Sequence, residues 1–182
     1  MLILLSGPSA VGKNTIIEHI IKKYNNFTLM RSCTTRPKRE SDDTIMVQYD
    51  YISVDEFLKK INNDEMFEYS EVHGNYYGIP KENLERAVSE DFIKDIDVLG
   101  AKKVVEGYGS KATILSIFLD APDVVLKDRL INRGESPERI EVRMQRNNME
   151  REYKANYDLQ IMNTDLNNTL RIIFEKIEEL KK

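Results

Sequence analysis

Near the start of the chain, Gly7-Pro8-Ser9-Ala10-Val11-Gly12-Lys13 has the G-x-x-x-x-G-K spacing that holds a polyphosphate. Glycines at those offsets let backbone N–H groups turn inward onto phosphate oxygens, and a following helix adds the positive end of its dipole. Lys13 is placed to reach the terminal phosphates of a triphosphate. A bare turn into a helix would need the glycines but not the lysine. One position breaks the pattern. The next residue is ordinarily a Ser or Thr that ligates Mg²⁺, and here it is Asn14, followed by Thr15. Either the Asn14 carbonyl takes up the ion, or water and nucleotide hold most of it, since Mg²⁺ keeps several waters.

Other residues suit a reaction on a phosphate. Six of the eleven arginines fall between Arg129 and Arg151, so a helical segment closing over a nucleotide would bring guanidinium groups to a transferring phosphoryl group. No His-Asp or Ser-His pairing accompanies them. Transfer to an acceptor that is already a phosphate needs positioning and charge neutralisation instead of a general base. Taken singly, Arg139, Arg146 and Arg151 read as a solvated helix face with acidic partners such as Glu141 and Glu150. Arg36 and Arg39 stand in an unpatterned loop, and with the hydroxyls of Tyr49 and Tyr77 they suit an acceptor phosphate. Asp95 and Asp97, two apart at the end of an apolar run, are expected to point to one side of a strand. They would sit at the carboxyl edge of the sheet, where open α/β sheets bind ligands. One carboxylate would hold a water on Mg²⁺ and the other face the acceptor, in an order the spacing leaves open. Cys33, amid Arg31, Arg36 and Arg39, has either a thiolate favoured by positive charge or an inert packed thiol. His19 and His73 belong to no constellation and read as helix surface and turn.

The elements that must position these groups alternate as in an α/β fold. Leu2 to Ser6 is a continuous apolar run, a strand buried on both faces, and Ile16, Ile17, Ile20, Ile21 and Tyr24 recur at helical spacing after the glycine loop. Phe27 to Met30 and Tyr49 to Ile52 read as short strands, with a polar stretch lacking periodicity from Arg31 to Gln48 between them. Ser53 to Glu56 is a capping box ahead of Phe57, Leu58 and Ile61. Met66 to Val72 and Tyr76-Tyr77, around His73-Gly74-Asn75, predict a hairpin. A helix from Pro80 through Val88, a strand Phe92 to Asp97, a helix Gly100 to Tyr108 and a strand Thr113 to Leu119 follow. Pro122 and Ser136-Pro137-Glu138 open two further helices, Leu159 to Met162 is the last strand, and Asp165 caps a final helix. The shift to short antiparallel pieces predicts an inserted lobe over about residues 32–80.

At 182 residues with 41% hydrophobic side chains the chain suits one domain with a real core. A net charge of −4 is the wrong sign for a nucleic-acid-gripping surface. The single cysteine and two histidines leave no disulfide framework and no zinc site. No run is long enough to span a bilayer, and the first residues do not read as a signal peptide, so a soluble protein in a reducing cytoplasm is expected.

Together, Ser6 to Thr15, Thr34-Thr35-Arg36-Pro37-Lys38-Arg39, Gly74-Asn75-Tyr76-Tyr77-Gly78, Asp95-Ile96-Asp97, Arg129 to Gly134 and Asn163-Thr164-Asp165 resemble guanylate kinase. The resemblance spans almost the whole chain in order. It implies the P-loop kinase fold, with a central parallel sheet flanked by helices, an inserted mixed monophosphate-binding lobe and a helical lid. The core would comprise residues 1–31, 81–125 and 153–182, the lobe about 32–80 and the lid about 126–152. The implied activity is ATP-dependent phosphorylation of GMP or dGMP with Mg²⁺, on small-molecule nucleotides, by a monomer or homodimer. Lys13, Arg39, Arg133 and Arg143 would be catalytic. Residues Gly7 to Thr15, Arg133 and Asn163 would bind ATP, and Asn14 and Asp97 would serve the metal. Ser32, Arg36, Arg39, Tyr49, Glu68, Tyr77, Ile79, Asp95 and Asp97 would bind GMP, with Glu68 accepting from guanine N1–H and the 2-amino group and Ser32 donating to O6. Ile79 departs from the family, which ordinarily has a donating Ser or Thr there, so a weakened grip on O6 is expected. Leu99 is a further departure. The alternatives are a P-loop kinase of another small phosphate-bearing acceptor, such as a ribose bisphosphate or a different nucleotide, and a non-catalytic binding module of the same fold.

Overall fold

The computed structural model describes residues 1–38, 47–72 and 74–182. Strand β1 (Leu2–Ser6) is wholly buried, with Ile3 and Leu5 packing on one face and Leu2 and Leu4 on the other. That explains the uninterrupted apolar run, because a parallel strand covered on both sides has no solvent face to mark with polar residues. Helix α1 (Lys13–Lys23) follows the glycine loop and lays Ile16, Ile17 and Ile20 on the first face. β2 (Phe27–Leu29) takes the edge of the sheet.

The chain next forms β3 (Ser32–Thr34), β4 (Tyr49–Tyr51), helix α2 (Val54–Asn62), β5 (Met66–Val72) and β6 (Asn75–Pro80). These strands make a second sheet in the order β4-β3-β6-β5, with β3 parallel to β4 and antiparallel to β6. β3 lies inside the stretch read as unpatterned, since three residues are too few to show a period. The Ser53–Glu56 capping box is formed in both directions and starts α2, whose buried Phe57 stacks on Tyr76.

The return to the first sheet runs through α3 (Lys81–Arg86), β7 (Asp91–Asp95), α4 (Val98–Tyr108) and β8 (Ile114–Asp120). Pro80 closes β6 and caps α3, which ends at Arg86 and not Val88, and Pro122 likewise caps its helix instead of lying inside it. The apolar run from Phe92 does not continue to Asp97: the strand stops at Asp95, and Asp97 turns to cap α4 by accepting the N–H groups of Leu99 and Gly100 at 3.0 and 2.9 Å. Helices α5 (Asp123–Asn132) and α6 (Pro137–Arg151), strand β9 (Leu159–Met162) and helix α7 (Leu166–Leu180) complete the described elements. The first sheet has five parallel strands in the order β2-β7-β1-β8-β9. α1 and α7 cover one face with Ile173 and Ile177, and α3 and α4 cover the other with Leu84 and Val104. Burying each such side chain stabilises the fold by roughly 1.5–3 kcal/mol, so a charge at Leu4 or Ile17 would undo the packing of sheet on helix. The strand order reverses beside β1, and the carboxyl ends of β1 and β7 open there toward the second sheet.

Candidate active site

The loop after β1 is built around its glycines. Gly7 has φ +136°, and a Cβ there would lie 2.0 Å from the Leu119 carbonyl oxygen, so only glycine lets the loop pass β8. Gly12, at φ +104°, starts α1. Other parts of the chain hold the loop. Arg129 of α5 donates to the Ala10 and Val11 carbonyls at 3.2 and 3.1 Å, and Asn163 donates to Val11 O at 2.7 Å from behind. From α6, Asn147 Oδ1 accepts the Ser9 N–H at 2.8 Å and Arg143 donates to Ser9 Oγ at 3.3 Å. Lys13 Nζ donates to Gly7 O at 2.6 Å and stands 3.9 Å from Asp95 Oδ1.

Between this loop and the second sheet lies a polar cleft of about 520 Å³. Of the residues singled out in the sequence, Gly7, Ser9, Lys13, Ser32, Arg36, Tyr49, Glu68, Tyr77, Ile79, Asp95, Asp97 and Arg143 line it. Arg36 is buried against the rings of Tyr49 and Tyr51, at 5.7 and 5.6 Å, and donates to Pro37 O at 2.9 Å. Its guanidinium is therefore fixed in place over the Tyr49 ring and within 3.5 Å of the Tyr51 hydroxyl. Glu68 pairs with Ile79 across β5 and β6 and meets Lys103 at 3.1 Å. Burial raises the Asp95 carboxyl above its ordinary value, opposed by Lys13 and Lys94. Burial and the Asp95 charge raise the Tyr49 hydroxyl, which stays protonated and able to donate.

Several residues stand elsewhere. Arg133 ends α5 and is exposed outside the cleft. Asn14 and Thr15 are exposed on the first turn of α1, where Asn14 Oδ1 accepts from Gln48 Nε2 at 3.0 Å. Arg39 and His73 lie outside the described residues. The strand geometry expected for Asp95 and Asp97 does not hold, because Asp97 lies beyond the strand; the turn brings both to the cleft. Of the two readings of Cys33 the packed thiol holds: it packs with Phe57 and Met66, and burial pushes its thiol up, outweighing the nearby lysines. Arg139 is exposed and pairs with Glu135 as a surface residue does, whereas Arg151 departs from the solvated reading: it is largely covered and bonds the buried Asp120, with Asp123 and the Ala121 carbonyl. Arg146 also has its acidic partner, Glu150, yet both face the cleft.

The sequence reading passed over Lys94, Asn147 and Gln48 as site residues, and read Glu150 only as an acidic partner on a solvated helix face. Lys94 left a signal, a charge that follows the apolar pair Phe92-Ile93 inside a strand buried at its centre. Asn147 left none beyond its place in α6. Among the described residues no three His, Cys, Asp or Glu side chains gather to hold a metal, and no helix is long and apolar enough to cross a membrane.

The family profile described as "Guanylate kinase" matches residues 1–180. A curated guanylate kinase of Agrobacterium fabrum is 37% identical over 186 residues, covering 100% of this chain and 81% of that protein. One from Carboxydothermus hydrogenoformans is 40% identical over 174 residues, covering 91% and 81% respectively. The crystal structure of guanylate kinase from Anaplasma phagocytophilum superposes with a TM-score of 0.71 at 29% identity, over 98% of this chain and 85% of that one.

Proposed function

The chain belongs to the guanylate kinase family, and from that premise we propose that it moves the γ-phosphoryl group of ATP in line onto the phosphate of GMP or dGMP. The observation that carries this reading is the cleft itself, lined by Lys13 on the donor side, by Arg36, Tyr49 and Tyr77 on the acceptor side, and by Glu68 from the edge strand of the second sheet. The loop N–H groups and Lys13 hold the donor's phosphates. Arg36, with the Tyr49 and Tyr77 hydroxyls, holds the acceptor phosphate, and Glu68 accepts from the guanine N1–H and 2-amino group. Arg143, already bonded to the loop at Ser9, spreads charge over the transferring group, and Arg133 joins it from the α5 end of the lid. Arg39 is assigned with Arg36 from its place in the motif.

Asn14, on the first turn of α1, and Asp97, in the cleft wall, carry oxygen donors of the kind Mg²⁺ takes, with phosphate and water left to supply the rest of its shell. Asn14 and Asp97 would hold it largely through water. When bound, the ion supplies charge neutralisation on the donor phosphates.

A coupled assay with a panel of monophosphates tests the reading. GMP and dGMP are expected to be phosphorylated with ATP, and AMP, CMP and UMP to be poor acceptors. Transfer to another acceptor in preference to both guanine nucleotides would overturn it.

A further inference from the structure

Lys94 faces the acceptor cleft, and the transfer chemistry gives it no task. It follows Phe92 by two in β7 and so shares the face that packs Ile79 and Met30. It is 3% exposed, an expensive place for a long charged side chain. Its Nζ donates to Ser32 Oγ at 2.7 Å and, more weakly, toward Met30 O at 3.4 Å. An ammonium has three protons to give, and the cleft wall that Lys94 shares with Ser32, Glu68 and Ile79 leaves one for a ligand. Ile79, nearly fully buried in this wall, offers no donor.

We propose that Lys94 is a specificity-determining residue for the acceptor base, its ammonium and the Ser32 hydroxyl forming the donor half of a site whose acceptor half is the Glu68 carboxylate. The inference rests on the reading that a guanine nucleotide is the acceptor. Guanine's recognition edge presents a carbonyl oxygen beside two N–H donors, so a donor next to a carboxylate is its complement. Adenine reverses both contacts, setting an amino group against the ammonium and an unprotonated nitrogen against the carboxylate. The bond from Lys94 also fixes Ser32: its oxygen accepts from the ammonium, so its own hydrogen is available to the base. The Asp95, Glu68 and Asp97 carboxylates favour its charged form against burial, which lowers its pKa to about 8. At neutral pH the ammonium keeps its proton.

The test compares GMP with 6-thio-GMP, which keeps N1–H and the 2-amino group but replaces O6 with a poor acceptor, in wild type, Lys94→Met and Lys94→Met/Ile79→Thr at pH 7. Wild type is expected to prefer GMP. Lys94→Met is expected to raise KM for GMP about tenfold, as for a charge-assisted bond lost in a desolvated site, with the effect on KM and not kcat, and to reduce the preference over 6-thio-GMP in proportion. The added Ile79→Thr should restore much of that preference. A thermal melt of Lys94→Met at or above the wild-type temperature shows that the variant folds. An unchanged preference, whether GMP kinetics are unaffected or both substrates weaken alike, overturns the proposal and leaves Lys94 a packing residue. Wild type that transfers nothing to GMP overturns the reading beneath it, which the wild-type arm registers by itself.

Discussion

The side-chain amide oxygen Oδ1 of Asn147, on α6, accepts the backbone N–H of Ser9 in the phosphate loop at 2.8 Å. One turn away Arg143 bonds the Ser9 hydroxyl, so the helix bearing the charge for transfer is registered directly on the loop that holds the donor. Asn147 is completely buried. Its loss leaves a loop amide without its partner, at a cost of about 1–3 kcal/mol. Asn147→Ala is expected to lower the melting temperature and to raise KM for ATP while leaving KM for GMP near wild type. Equal effects on both substrates would place Asn147 in general packing instead.

Lys13 donates to the loop's own Gly7 carbonyl and stands beside Asp95, so it joins donor and acceptor sides electrostatically while belonging structurally to the donor loop. Lys13→Met is expected to cut transfer by several orders of magnitude with GMP binding retained in calorimetry. Activity within a few-fold of wild type would remove Lys13 from the mechanism.

Arg143 and Arg133 differ in placement, one bonded in the cleft and the other exposed at the end of α5. Arg143→Ala is expected to reduce kcat by roughly 10³-fold or more, with a smaller change in KM, as for an arginine acting in the transition state. Arg133→Ala is expected to act in the same sense. A pure KM effect in either variant would assign that residue to ATP binding alone.

Burial of Lys94 has a stability signature. Its pKa of about 8 in the fold lies below the ordinary 10.5. Between those values the unfolded chain binds the extra proton, so wild-type stability gains with rising pH across that window; below about 8 both states are protonated and the full penalty of the buried charge applies. The difference corresponds to about 3 kcal/mol. Lys94→Met is therefore expected to be more stable than wild type at pH 7 and to lose that advantage by pH 10.5, read from denaturant melts of the pair. A pH-independent difference would mean that the ammonium is not held in a desolvated site.

The sequence by itself determined what depends on neighbours along the chain. The spacing from Gly7 to Lys13, the Ser53–Glu56 capping box, the Ser136-Pro137 helix start and the doubly apolar β1 are local devices, readable because each works within a few residues. The motifs around Arg36, Glu68 and Tyr77 named most of the acceptor wall. Tertiary structure decided the rest, because a crossover sheet joins residues that nothing in sequence connects. Lys94 meets Ser32 from 62 positions away, and Asn147 meets Ser9 from 138. The same assembly moved Asp97 from strand to helix cap and sealed Cys33 in a packed cluster, where desolvation outweighs the surrounding positive charge. Burial is a property of the whole fold, and it decides whether a charged or nucleophilic side chain is solvated surface, inert filling or part of a site.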